Sequence, residues 1–356
     1  CICHYLCRVA GRYPAEKGSN SIGFFCVNNL LREQEKIKTE ERSMKRLFVI
    51  GLVVIALLAG GSMVFAEGQA ESAGGEGITI AYSGFPGGMS AFWAQMAQYM
   101  KEEADKMGVE LLDMSPTEAN AMMQKDAVDN AINKNVDGII IGSVDNRAFD
   151  DSLDRAAEKG IPVVAVDTGI DHPHISALAQ TDNLASSRVM GQYIVDTTDK
   201  GTVIILGGTL GHQTGDARRD GAKQVLEAND YTVVFRACNW DPAMALETAT
   251  NELAANEGVV AVYGCWDPGA LAGYSAVEQR GLTDEVKVYG FDGIPDAIKS
   301  IQNGELTATI KQDNKKMAEV VMSNLVSEIK GEPVGVKKLL IDGFIIDKSN
   351  ADEYAE

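Results

Sequence analysis

Three tryptophans, Trp93, Trp240 and Trp266, each follow an apolar run that reads as a β-strand and stand where the chain turns into the next helix. In an open α/β sheet that turn borders the ligand crevice. Acids stand at matching places, since Val166 is followed by Asp167-Thr168, Tyr263 by Gly264-Cys265-Trp266-Asp267, and Phe291 by Asp292-Gly293. A flat ring stacks on the apolar C–H face of a sugar while carboxylates and amides bond its hydroxyls, so rings and acids at one edge point to a carbohydrate. Arg218 follows the turn Gly207-Gly208-Thr209-Leu210-Gly211 at the start of a helix and adds a fork of donors to the same rim. That turn has neither the G-x-G-x-x-G order nor a G-K-[ST], so its signal for phosphate is weak. Carboxylates at strand ends also cap helices, and Asp113 and Asp267 read that way.

The elements that must carry these residues alternate with hardly a break. Ile78 to Tyr82 reads as a strand, Ala91 to Met107 as an amphipathic helix, and Val109 to Asp113, Glu118 to Asn133, Gly138 to Ile141, Arg147 to Lys159 and Val163 to Val166 continue the βαβ rhythm. A second unit runs through Thr202 to Leu206, a helix near Asp216 to Ala228, Thr232 to Ala237, Ala243 to Asn256, Val259 to Tyr263, a helix near Gly269 to Arg280, and Val286 to Phe291. The Val/Ile-rich strands predict parallel sheets covered on both faces. The expected class is α/β, with two doubly wound parallel-sheet lobes and a cleft between them. Asp167 and Asp292 then occupy equivalent strand ends and face one cleft. Met96, Met100, Met122 and Met123 read as core filler.

Ahead of these units, Met44-Lys45-Arg46 opens a basic segment, Leu47 to Ala59 is apolar apart from Gly51, and Val64-Phe65-Ala66 offers small residues for cleavage. Residues 44 to 66 thus read as a secretory signal peptide cleaved after Ala66. An uncleaved anchor is the alternative, because Leu47 to Phe65 is almost long enough to span a bilayer, but Gly60-Gly61 interrupts it. Leu58-Ala59-Gly60-Gly61 resembles a lipobox with Gly61 in place of the acylated cysteine. Residues 1 to 43 start without methionine and carry Cys1, Cys3, Cys7 and Cys26 in no zinc-like pairing, so they read as an upstream extension. Residues 67 to 77 are a Gly, Ser, Ala and Glu-rich linker.

Residues 1 to 66 hold 9 of the 32 basic residues and 5 of the 51 acidic ones, which leaves 23 against 46 and a formal charge of −23 beyond them. Such a surface repels nucleic acid and anionic lipid. Cys238 and Cys265 each end a strand with another strand expected between them, too far apart for a disulfide. His172-Pro173-His174 could present two ligands to a metal, but with only His212 beyond it the stretch reads as a loop. No cofactor, metal or nucleic-acid partner is expected, and the protein reads as a monomer.

From about Ile78 to Ile346 the chain resembles the periplasmic sugar-binding proteins of ABC transporters, in the ribose-binding-like branch of the type I fold. The resemblance rests on Val288-Tyr289-Gly290-Phe291-Asp292-Gly293-Ile294-Pro295-Asp296 and Leu306-Thr307-Ala308-Thr309-Ile310-Lys311-Gln312. Gly160-Ile161-Pro162-Val163, Thr181-Asp182-Asn183 and Arg218-Arg219-Asp220-Gly221 support it. It implies that Phe92 and Trp93 stack on one face of a sugar, that Trp240 closes the other, and that Asp167, Arg218, Asp292 and Gln312 bond the ring hydroxyls. The expected ligand-binding set also includes Ser83 and Ser90, which bound a loop longer than the family's. Thr168 belongs to it as well, standing where ribose-binding members have an arginine, and so does Trp266, standing where they have an asparagine. These departures leave a different pentose, a hexose, a polyol or a cyclitol open as the ligand.

The resemblance further implies a three-strand hinge, with crossovers near Thr181, Gln312 and Asp342. Residues 78–181 and 313–342 would form the N-terminal lobe, and 182–312 and 343–356 the C-terminal lobe. The implied role is capture of a sugar in the periplasm and delivery to an ABC-transporter permease, with no enzymatic activity; service to a chemoreceptor or sensor kinase is the alternative. A lac-repressor-like regulator shares such a core but would need a helix-turn-helix and a basic face. A glycoside hydrolase using Asp167 and Asp292 as paired acids is the remaining alternative.

Overall fold

The computed structural model describes residues 77–355, so the extension, the signal peptide and residues 67–76 of the linker lie outside the described residues. Twelve strands in the described residues form two six-stranded sheets. The first joins β1 (Thr79–Ser83), β2 (Glu110–Asp113), β3 (Gly138–Ile141), β4 (Val163–Val166), β5 (Ile175–Thr181) and β11 (Lys338–Ile341) in the order β11-β5-β4-β3-β1-β2, all parallel. The second joins β6 (Thr202–Gly207), β7 (Thr232–Ala237), β8 (Val259–Gly264), β9 (Lys287–Asp292), β10 (Ala308–Lys311) and β12 (Phe344–Asp347) in the order β12-β10-β9-β8-β6-β7. Only the β10–β12 pair is antiparallel.

The strand sequences explain the layering. β3 (GIII), β4 (VVAV) and β6 (TVIILG) are buried along their whole length, as parallel strands sheathed by helices on both faces must be. Four helices pack with the first sheet: α1 (Ala91–Met107), α2 (Ala121–Asn133), α3 (Asp150–Glu158) and α9 (Asn314–Ile329). Five pack with the second: α4 (Asn183–Thr197), α5 (Gln213–Ala228), α6 (Pro242–Ala255), α7 (Asp267–Gln279) and α8 (Pro295–Asn303). We call each sheet with its helices a lobe.

Local chemistry sets the helix ends. Asn120 accepts hydrogen bonds from the N–H groups of Met122 and Met123, so α2 starts at Ala121 rather than Glu118. Met122 and Met123 therefore sit on an exposed first turn and are not core filler, unlike the fully buried Met96 and Met100. α1 stops where Gly108 adopts φ +68°, a left-handed conformation open to glycine at little cost.

The chain passes between lobes three times: from β5 into α4, from β10 into α9, and from β11 into β12. Asp182 and Asp313 cap the helices that follow the first two passages, accepting from Ala185 and Lys316. The passages are also bonded to one another. The Thr181 hydroxyl donates to Gln312 Oε1 at 2.6 Å, and Asp182 N–H donates to the Ile341 carbonyl at 2.8 Å. Cys238 and Cys265 are free and buried, with β6 lying between the strands that they follow.

Candidate functional site

The C-terminal ends of β4 and β9 turn sharply. Asp167 has φ +61° and Asp292 φ +133°, and Asn239 and Trp240, beyond β7, have φ +52° and +61°. Such backbone is uncommon for non-glycine residues, Asn and Asp adopting it most readily, and it gathers at functional sites. Here the turns deliver two carboxylates and an indole to one cavity, the kind of concave, partly apolar wall with a few converging polar groups that holds small molecules.

Both lobes build its wall. Ser90, Phe92, Trp93 and Asp167 come from the first lobe, Arg218, Trp240, Trp266 and Asp292 from the second, and Gln312 from the passage between β10 and α9. Ser83 and Thr168 do not line it. Thr168 is fully buried and donates its hydroxyl to Asp167 Oδ2 at 3.0 Å, which holds that carboxylate from behind. The Ser83 hydroxyl is buried without a partner, and its carbonyl accepts from Gln124 Nε2.

Glycines seat the indoles. A Cβ on Gly208 would lie 2.2 Å from the Trp240 ring, and one on Gly269 2.5 Å from that of Trp266. Gly142 faces Trp93 in the same way, at 2.7 Å. Trp240 and Trp266 meet edge to face, with centroids 5.5 Å apart. Phe85 stacks on Trp93 at 5.0 Å, and Phe92 meets Trp93 edge-on at 5.2 Å.

The polar side chains form one network. Arg218 donates from Nε to Asn183 Oδ1 at 2.8 Å and from Nη1 to the Cys265 carbonyl at 3.0 Å and Asp292 Oδ1 at 3.2 Å. Its guanidinium carbon lies 3.9 Å above the Phe291 ring centre. Gln312 Nε2 donates to the same Asp292 oxygen at 2.7 Å. Burial, against the pull of Arg218 and with the charges of Asp267 and Asp167 adding to it, pushes the Asp292 carboxyl up to about 7. Burial likewise raises Asp167, with Arg218 and Thr168 opposing.

Two polar atoms in this wall lack a hydrogen-bond partner although they are buried. They are Asp167 Oδ1, an acceptor, and Trp240 Nε1, a donor. An unmet buried polar group costs about 1–3 kcal/mol, so these two favour a ligand bearing hydroxyls.

Asp267 and Asp113 differ from their expected roles as N-caps. Asp267 is the first residue of α7, fully buried, and accepts from Thr309 Oγ1 at 2.6 Å and Ile294 N–H at 2.9 Å, so it braces the turn that carries Asp292. Asp113 accepts from Ser115 N–H in a local turn. His172 and His174 each bring Nε2 within 3.5 Å of Asp154 Oδ1. Among the described residues no group of three or more His, Cys, Asp or Glu side chains could hold a metal ion.

A family model described as a periplasmic binding protein domain matches residues 80–333. The chain belongs to this family. A D-allose-binding periplasmic protein of Escherichia coli is 30% identical over 272 residues, spanning 72% of this chain and 88% of that protein. A crystal structure of an ABC transporter periplasmic solute binding protein from Actinobacillus succinogenes, with bound D-allose, is 27% identical with a TM-score of 0.70 and covers 78% of this chain and 100% of its own. Another, a solute binding protein from Bacillus halodurans with bound myo-inositol, is 26% identical with the same TM-score, covering 79% of this chain and 99% of its own. The two-lobed, mostly parallel architecture is the type I periplasmic binding protein fold.

The wall of this periplasmic binding protein also holds four residues that the sequence reading passed over: Phe85, Met89, His212 and Thr214. His212 and Thr214 begin α5 directly after the glycine turn, the same strand-to-helix position that singled out Arg218. That position was the available signal for them. Phe85 and Met89 lie in the long loop after β1, whose path no periodicity in the sequence specifies.

Proposed function

We infer that the protein is an extracytoplasmic solute-binding protein, which captures a monosaccharide or polyol between its lobes and delivers it to an ABC-transporter permease. The pairing in one cavity wall of a bare acceptor, Asp167 Oδ1, with a bare donor, Trp240 Nε1, beside three indoles carries this reading. A sugar or cyclitol offers what that wall asks for, hydroxyls that donate and accept around an apolar C–H face. The D-allose and myo-inositol bound by related structures support the class.

Hydrogen bonds to charged groups contribute about 1.5–3 kcal/mol each when water is excluded, and stacking about 0.5–1.5. Three of each amount to about 6–13 kcal/mol, enough at the upper end to offset the cost of ordering ligand and lobes and still reach the roughly 8 kcal/mol of micromolar binding. Contacts from both lobes to one ligand stabilise the closed arrangement, so binding shifts the open–closed equilibrium toward the form that a permease can recognise. The signal peptide expected at residues 44 to 66, with cleavage after Ala66, supports a periplasmic location.

A thermal-shift screen with pentoses, hexoses, polyols and cyclitols tests the reading, because a ligand that binds only the folded state raises the melting temperature. At least one member is expected to raise it by several degrees. If none does, the ligand class is wrong.

A further inference from the structure

His212 is the N-cap residue of α5 in the second lobe, yet it reaches across the cleft. Its Nε2 lies 3.3 Å from the Ser143 carbonyl, beyond β3 in the first lobe. A carbonyl only accepts, so Nε2 carries the proton, and Nδ1 faces the Thr214 hydroxyl at 3.0 Å. The ring stands edge to face between Phe85 of the first lobe, at 6.0 Å, and Trp240 of the second, at 5.3 Å. The next residue repeats the crossing, since Gly169 N–H in the first lobe donates to Gln213 Oε1 at 2.8 Å. Two consecutive residues thus bond the opposite lobe, and the first of them lines the cavity.

We propose that His212 is a positioning residue, which docks the two halves of the sugar site onto one another when the lobes close, and that acid loosens this docking and releases the ligand. The inference rests on the sugar-binding reading. Moving the lobes apart breaks the bond to Ser143 and returns the ring to water, so the neutral imidazole belongs to the closed arrangement and the protonated one to the open. Burial, aided by Arg218, pulls the ring down to about 4, against the bond to Ser143 and the charges of Asp145 and Asp216. Of these neighbours Asp145, on the first lobe, is engaged by Arg147, and Asp216, on α5, by Arg219. Asp167 and Asp292 share the cavity with the ring.

An exposed imidazole titrates near 6.5, so the open form gains a proton between about pH 7 and pH 5 that the closed form refuses. Wild-type affinity is then expected to fall about tenfold between pH 7.5 and pH 5.5 through this ring alone. Any change caused by Asp292 adds to it and is common to every His212 variant.

The test is calorimetric affinity at both pH values for the wild type, His212→Gln, His212→Ala and Gln213→Ala, using the sugar that gives the largest thermal shift. Glutamine keeps a donor toward Ser143 and cannot titrate. The expected order at pH 7.5 is wild type tightest, His212→Gln next and His212→Ala weakest, with the losses in the dissociation rate. The ratio of affinities between the two pH values is expected to shrink about tenfold in both His212 variants. Gln213→Ala, at an exposed position, is expected to bind more weakly with the wild-type ratio. An unchanged ratio in His212→Gln overturns the proposal and leaves sugar binding standing. A protein that no sugar stabilises overturns both.

Discussion

Asp292 takes a hydrogen bond from Gln312 at 2.7 Å, which joins the cavity to the passage between β10 and α9. Through its other end Gln312 holds Thr181 of the first passage, so the residues expected to touch the ligand also tie the hinge. Asp292→Ala and Gln312→Ala should each lower sugar affinity at least tenfold. Because one bond joins the two residues, their effects should fall short of additivity by roughly 0.5–3 kcal/mol in a calorimetric double-mutant cycle. Strict additivity would mean that the bond plays no part in binding.

Trp240 supplies both a face and an N–H. Trp240→Phe keeps an aromatic face and removes the unpaired Nε1 donor, so affinity should drop about three- to tenfold, the net worth of one hydrogen bond. Gly208→Ala should weaken binding further, because its Cβ would lie 2.2 Å from the indole and must displace it. Calorimetry on the two variants separates the lost donor from the lost position.

Trp266 is expected to govern which sugar fits. Trp266→Asn exchanges an apolar wall for an amide and should reorder the ligands in the thermal-shift screen, favouring those with an additional hydroxyl at that wall. If every ligand weakened by the same factor, Trp266 would be a packing residue without selectivity.

The buried acids make stability depend on pH. Burial pushes the Asp292 carboxyl up to about 7 in the fold and raises Asp267 and Asp167 above their ordinary values as well. The folded state therefore holds protons that the unfolded chain gives up, and stability falls as pH rises through the folded values. His212 works oppositely and lower, because its lowered value costs stability as pH falls from about 6.5 to about 4. The ligand-free melting temperature should rise by on the order of 2 °C as pH falls from 8 to 6.5. In Asp292→Asn that rise should largely vanish, which scanning calorimetry would register.

The regular parts of the molecule were legible because burial on both faces leaves little latitude. Gly138–Ile141 and Val163–Val166 are strands with the very bounds that their apolar runs suggest, and Ala91–Met107 a helix with its bounds. Strand-end position also pointed to Asp167, Arg218, Asp292 and the three tryptophans, all of which meet in one cavity. What the sequence concealed depends on contacts between elements distant in the chain. Asp267 could be a cap by position, and only the approach of Thr309 and Ile294 makes it a brace. His212 acquires its part from Ser143, 69 residues away on the other lobe.

The most direct measurement is a calorimetric titration of the protein with the sugar, polyol or cyclitol that gives the largest thermal shift. One saturable site is expected, with affinity tighter than micromolar, a negative heat-capacity change from burying the C–H face against the indoles, and at least tenfold weaker binding by Asp292→Ala. Absence of saturable heat with every such ligand, or undiminished binding by Asp292→Ala, would contradict the sugar-binding reading.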